Sequence, residues 1–183
     1  MKNKNKYILL SALFLAAFLE RTLFDLGPNV ELVTTAMILS AFYFGKKESF
    51  WTVFAIMMLS DLILGNSRIF LFTWSGFLIP ALLAGKFVKQ KGDKFVKILS
   101  LTGTGLSSNI FFYLWTNFGV WLMSSMYSKD VLGLMTSYIN GLPFLKYQIT
   151  STLVFVPMGF IAVEYVSIFI KNWKLKINFL FEN

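Results

Sequence analysis

The stretch ILSLTGTGLSSNIFFYLWTNFGVWLMSSMYS, Ile98–Ser128, contains no charged residue. Roughly 20 apolar helical residues cross the hydrocarbon core of a bilayer, about 30 Å thick, so this run exceeds one straight crossing. Its second half, TNFGVWLMSSMY (Thr116–Tyr127), places an amide (Asn117), a glycine (Gly119) and an indole (Trp121) amid aromatic surface. The glycines and serines after Asn117 predict a bend near Gly119 or after Met123, with the chain then following the interface through Tyr138. The hydrogen-bonding groups either join helices or line something that a solute enters.

The rest of the chain has the same character. It has 183 residues, of which 56% are hydrophobic, 18% aromatic and only 14% charged, whereas about 25% charged is usual for a soluble domain. Mean hydropathy is +0.66. These values predict an all-α membrane protein forming a single integral domain over residues 1–183. The sequence has neither cysteine nor histidine. Disulfides, thiolate nucleophiles and histidine-ligated zinc or haem are therefore excluded, and the commonest general base is missing.

Hydrophobic segments predict six transmembrane helices at about 7–26, 29–44, 49–65, 69–88, 95–123 and 147–170, with an interfacial segment over 124–142. The first follows the basic start MKNKNK and lacks a small-x-small cleavage site, so it reads as a retained helix rather than a signal peptide. Pro80 and Pro157 fall inside the fourth and sixth, where each removes a backbone donor. With the amino terminus inside, Lys2, Lys4, Lys6, Lys46, Lys47, Lys86, Lys89, Lys91, Lys94, Lys97, Lys171, Lys174 and Lys176 lie on the inner side. Arg21, Arg68, Lys129 and Lys146 lie outside, and together these are all 17 basic residues. The imbalance follows the positive-inside rule and predicts a multi-pass protein of the cell membrane with both termini cytoplasmic. It also accounts for the net charge of +8 without nucleic acid.

The remaining polar groups gather toward the outer ends of the segments. Glu20, Arg21, Asp25 and Glu31 bracket the first outer loop, Asp61 and Arg68 the second, while Asn109, Asn117, Tyr138 and Asn140 belong to the fifth segment and the loop after it. In one reading, Arg21 pairs with Glu31 or Asp25, and Asp61 with Arg68, as interfacial ion pairs. In the other, Arg21, Glu31, Asp61 and Asn117 surround a pocket open to the outside, with Trp115 and Trp121 as walls. The two are compatible, because ion pairs often hold pocket residues. Indoles also collect at membrane interfaces without any ligand. Glu164 is expected to reach the inner interface or a loop lysine. Ala12 and Ala16, with Ala17 adjacent, form a small-x-x-x-small pair, as do Ala81 and Gly85; this spacing permits close helix approach. TGTGLSSN (Thr102–Asn109) has neither the glycine spacing nor the lysine of a phosphate loop and reads as a helix-packing stretch.

Several blocks carry a resemblance: Ser60-Asp61-Leu62 with Gly65, Thr116-Asn117-Phe118-Gly119-Val120-Trp121, Met126-Tyr127, Gly133-Leu134, Tyr138, and Leu142-Pro143-Phe144. Together they resemble an uncharacterised family of small bacterial and archaeal membrane proteins, itself related to the substrate-binding S components of energy-coupling factor (ECF) transporters. The resemblance implies a six-helix S-component-like bundle that holds a ligand near its outer face. It also implies a partner-facing role for Ala12, Ala16 and Ala17 toward a transmembrane coupling protein driven by two cytoplasmic ATPases. That family often reads NFTP at the start of the second helix, where this chain has Pro28-Asn29-Val30-Glu31.

The expected function is that of a substrate-binding subunit for uptake of a vitamin-like or other small solute, with no cofactor and no enzymatic activity. The candidate binding residues are Arg21, Glu31, Asp61, Asn117, Trp121 and Tyr138. One alternative is a membrane scaffold or assembly protein whose polar groups serve helix packing alone. Another is a small lipid-active enzyme using Asp61 or Glu31 as base.

Overall fold

A computed structural model of the chain describes residues 3–24, 26–27, 29–65 and 68–181, with side chains described only between residues 5 and 169. Six helices follow in order: α1 (Asn3–Leu19), extended by a π-helical turn (Glu20–Phe24), α2 (Val33–Phe44), α3 (Lys46–Leu64), α4 (Phe70–Phe87), α5 (Lys94–Met123) and α6 (Val131–Phe181). Among the described residues there is no strand. Three stretches are long and apolar enough to cross a membrane: Asn5–Phe24, Phe70–Phe87 and Val131–Phe169.

Helix α2 is the centre of the bundle. Its 12 residues extend only about 18 Å, yet every residue from Val33 to Phe42 is buried. It touches α1, α3, α4, α5 and α6, and Val33, Met37, Ile38 and Leu39 are fully enclosed. A helix that is apolar on nearly all faces finds no solvent-facing side, and here its neighbours cover it up to Phe42. A single residue, Gly45, separates α2 from α3; its φ of +98° is a left-handed conformation that favours glycine.

The α5–α6 hairpin forms the largest helix pair. Its antiparallel register is read from side chains: Ser137 donates to the Asn117 carbonyl (2.9 Å), Tyr113 donates to the Tyr138 carbonyl (2.6 Å), and Asn109 donates to the Gln148 carbonyl (3.0 Å). Residues 124–130 make the turn. There Asp130 Oδ1 accepts the Gly133 N–H (2.7 Å) and the Ser128 hydroxyl (2.9 Å). These bonds to the backbone and to Ser128 hold the Asp130 carboxyl below the usual range.

The sequence predicts a separate interfacial segment over 124–142 and a last helix beginning at 147. In the structure one continuous helix starts at Val131 and passes both Pro143 and Pro157. Each proline removes one helical donor and leaves the turns before and after it intact. The pairing with α5 on both sides of Pro143 holds the helix together. Helix α5 likewise runs unbroken past Gly119 to Met123, so the turn follows Met123.

Glycines set the closest approaches. A Cβ on Gly76 would come within 2.8 Å of the Phe112 ring, one on Gly105 within 2.8 Å of Thr152 Cγ2, and one on Gly119 would overlap Phe72 down to its own Cβ. Gly103, on the same helix as Gly105 and Gly119, has nothing within 4 Å of such a Cβ. Gly119→Ala is therefore expected to lose about 1–3 kcal/mol from overpacking. Gly103→Ala is expected to keep its stability or gain up to about 1 kcal/mol from helix propensity. Thermal unfolding of both variants in detergent checks the contrast.

Candidate functional site

The polar groups singled out in the sequence concentrate where the π-helical turn, the start of α2 and the end of α3 meet. A π-helical turn adds a residue to the local helical repeat and redirects the side chains it carries, a feature common at functional sites. Here it carries Glu20 and Arg21. Glu20 is buried at 5% exposure, and its Oε2 accepts the Leu32 N–H at 3.2 Å. Arg21 reaches α3: its Nε donates to Ser60 Oγ (2.8 Å) and its Nη2 donates to Asp61 Oδ1 (2.9 Å). The second Asp61 oxygen accepts the Trp74 indole N–H from α4 at 2.7 Å. The Asp61 side chain is 8% exposed and that of Arg21 26%, so Arg21 is not fully enclosed.

Thus Asp61 pairs with Arg21, and the Asp61–Arg68 and Arg21–Glu31 pairs expected from the sequence are not the ones formed. Asp25 lies outside the described residues.

Glu31 closes the start of α2. Its Oε2 accepts the Thr34 N–H (2.8 Å), and its Oε1 meets the Thr34 hydroxyl (2.5 Å). Ser151 of α6 ties down the Glu31 backbone, its Oγ accepting the Glu31 N–H (3.1 Å) and lying 2.7 Å from the Glu31 carbonyl.

Counting hydrogens shows which form of Glu31 this arrangement suits. Asn109 is fully buried. Its amide nitrogen donates to the Gln148 carbonyl and to Thr152 Oγ1 (2.7 Å), which leaves Oδ1 facing the Thr34 hydroxyl at 3.3 Å. Thr34 has one hydrogen to give. An ionised Glu31 takes it and leaves the buried Asn109 oxygen without that donor. A protonated Glu31 donates to Thr34, which then donates to Asn109, so every group in the chain is satisfied.

The other candidates lie along the α5–α6 hairpin. Asn117 donates to the Tyr113 carbonyl of its own helix (2.8 Å) and fills the space beside Gly141 of α6. Trp121 donates to the Ser128 carbonyl (2.9 Å), with Lys129 Nζ 5.9 Å from its ring centroid. Tyr138 packs on Tyr113 with ring centroids 5.9 Å apart. Trp115 donates to Ser75 Oγ (2.8 Å) and stacks on Phe111 and Phe118. Of the six binding candidates, Arg21 and Asp61 touch directly, Glu31 lies within reach of the Arg21 charge, and Asn117, Trp121 and Tyr138 serve the hairpin.

Three cavities, of about 580, 320 and 280 Å³, lie elsewhere, and none of the six residues lines them. Ala16 lines the smallest, between α1, α2 and α6. Ala12 and Ala16 are exposed, whereas Ala17 is fully buried in the core. At the opposite end of α2 and α3, Lys6 pairs with Glu48 (2.6 Å) and Tyr43 donates to Glu164 (2.8 Å). Among the described residues no cluster of acidic side chains could hold a metal ion.

Thr34, Trp74, Gln148, Ser151 and Thr152 carry no signal of their own in the sequence, and Ser60 stands out only as part of the Ser60-Asp61-Leu62 block. Each is an ordinary residue alone, and only the fold brings it to a charged or amide partner. The one signal available was the cluster QITST (Gln148–Thr152) inside an otherwise apolar helix.

The chain belongs to a family of unknown function, DUF6580, whose model matches residues 1–173. No curated protein and no solved structure matches it.

Removing Asp61 leaves Arg21 and the Trp74 indole without their partner. Asp61→Ala is expected to cost about 2–4 kcal/mol, toward the lower part of the range for broken buried pairs because Arg21 is partly open. A double-mutant cycle with Arg21→Gln, followed by thermal unfolding, should show a coupling well above the ~0.5 kcal/mol typical of independent sites.

Proposed function

We propose that this protein is the solute-binding membrane subunit of an ECF-type importer for a vitamin-like or other small solute. In this reading it spans the cell membrane six times with both termini in the cytoplasm. The observation that carries the reading is the π-helical turn that sends Glu20 and Arg21 inward, toward Asp61 and the start of α2. Charged groups inside a membrane bundle are costly and mark ligand or ion paths when they persist. Arg21, still partly open, would meet an anionic or carbonyl group of the solute. Glu31, both of whose oxygens are engaged by Thr34, would shape the floor of the site rather than contact the solute.

Energy for uptake would come from two cytoplasmic ATPases acting through a transmembrane coupling protein. The subunit would reorient against that protein and release the solute inside. Ala12 and Ala16 present the exposed small-residue face such a partner would need; Ala17, enclosed in the core, would support that face from behind.

A second reading, a membrane scaffold, is favoured by a separate observation: both Asp61 oxygens are occupied and Asn117 is packed against α6. Mass spectrometry of small molecules released from the purified protein separates the two. The importer reading predicts a stoichiometric compound in the parent that is lost from Arg21→Lys, a substitution that keeps the charge beside Asp61. A parent that releases nothing, while its deletion depletes another membrane protein, would favour the scaffold.

A further inference from the structure

Helices α4 and α5 are held together at one end and leave a cavity of about 580 Å³ between them toward the other. The tight end is set by Gly76 against Phe112, with the Phe77 and Phe112 rings 4.4 Å apart. From there the cavity extends along α5 from Phe111 to Val96, about 22 Å at 1.5 Å per residue. One leaflet of the hydrocarbon core is about 15 Å deep, so the cavity matches a leaflet and part of the headgroup zone.

Its walls suit a hydrocarbon chain. Leu83, Phe87 and Leu99 are exposed large apolar side chains along it. The hydroxyls that line it are already engaged with backbone: Thr104 donates to the Ser100 carbonyl, Ser107 to Gly103, and Ser108 to Thr104. Ser100 accepts the Lys89 N–H (2.8 Å) and donates to the Phe87 carbonyl (3.2 Å). A polar solute would find few free donors here, whereas an acyl chain needs none.

The wide end is cationic. Lys89 lines the cavity, and Lys86, Lys91, Lys94 and Lys97 accompany it across the α4–α5 connection. The acidic residue of that stretch, Asp93, caps α5 by accepting the Val96 N–H at 2.8 Å. Neither ion pair among the described residues involves these lysines. We propose that this groove binds an anionic phospholipid of the surrounding leaflet, with one acyl chain between α4 and α5 and its headgroup at the lysine end. Charge complementarity and a leaflet-deep apolar wall favour this occupant over a second protein helix.

The test is native mass spectrometry of the delipidated full-length protein titrated with phosphatidylglycerol or phosphatidylcholine. The expected result is one phosphatidylglycerol per chain, bound about tenfold or more tightly than phosphatidylcholine, since each lysine near an anionic surface contributes about a factor of five. Gly103→Leu projects into open space and should weaken that binding at least tenfold without changing the melting temperature of the delipidated protein. Ser107→Leu, on the exposed part of the same wall, provides an independent block. Replacing Lys89, Lys91 and Lys94 by glutamine should abolish the headgroup preference. Equal binding of the two lipids by the parent, or unchanged phosphatidylglycerol binding in both groove-filling variants, would overturn the proposal. A chain dimer that those variants dissociate would also overturn it, by assigning the groove to a second copy.

Discussion

A helix enclosed on all sides has to satisfy its first N–H groups without bulk water. For α2 this constraint governs the surrounding architecture. The Leu32 N–H goes to Glu20 from the π-helical turn, the Thr34 N–H goes to Glu31, and Ser151 of α6 fastens the Glu31 backbone. The π-helical turn and α6 therefore converge on one helix start. Two carboxyl groups, the buried Glu20 and the partly exposed Glu31, are drawn there because the backbone donors require acceptors. The Arg21–Asp61–Trp74 set lies alongside and joins the same turn to α3 and α4.

The two ends of the bundle differ in kind. At the α2 start, polar side chains are interlocked across helices. At the α4–α5 connection, lysines remain outside the ion pairs and an apolar groove opens beside them. The glycine contacts Gly76–Phe112 and Gly119–Phe72 link these regions by drawing α4 and α5 together over part of their length. Under the two proposals, solute recognition would fall at the first end and lipid recognition at the second, each on its own chemistry.

Much of the helical pattern was legible in the sequence because apolar runs and their interruptions are local. Gly45, Gly65, Gly92 and Asp93 mark where helices stop and start, and the boundaries of α3, α4 and α5 lie close to those expected. The start of α6 was not legible, since Pro143 carries a strong local signal that pairing with α5 outweighs. Ion-pair choice was hidden for another reason: Arg21 and Asp61 are 40 residues apart, and Arg68 is nearer to Asp61 in sequence. The role of Asn109 depended on Thr34 and Gln148 arriving from two other helices. Nothing in the sequence around Asn117 distinguishes an amide that packs beside Gly141 from one that lines a pocket.

A protonated Glu31 carboxyl at the start of α2 completes the hydrogen bonds of Thr34 and Asn109. A carboxyl whose proton completes hydrogen bonds in the fold contributes stability that is complete at acid pH and is lost as pH rises and that proton leaves. Carboxyls held low, such as Glu48 beside Lys6, act in the opposite direction and at more acid pH. The most direct measurement is the melting temperature of the parent and of Glu31→Gln in detergent from about pH 5 to 9, above ordinary carboxyl titration. Glutamine can accept the Thr34 N–H and donate to its hydroxyl, as the protonated acid does. The parent is expected to lose stability relative to Glu31→Gln as pH rises, with the two alike at the acid end. A difference that stays constant across this range, or one that shrinks as pH rises, would contradict it.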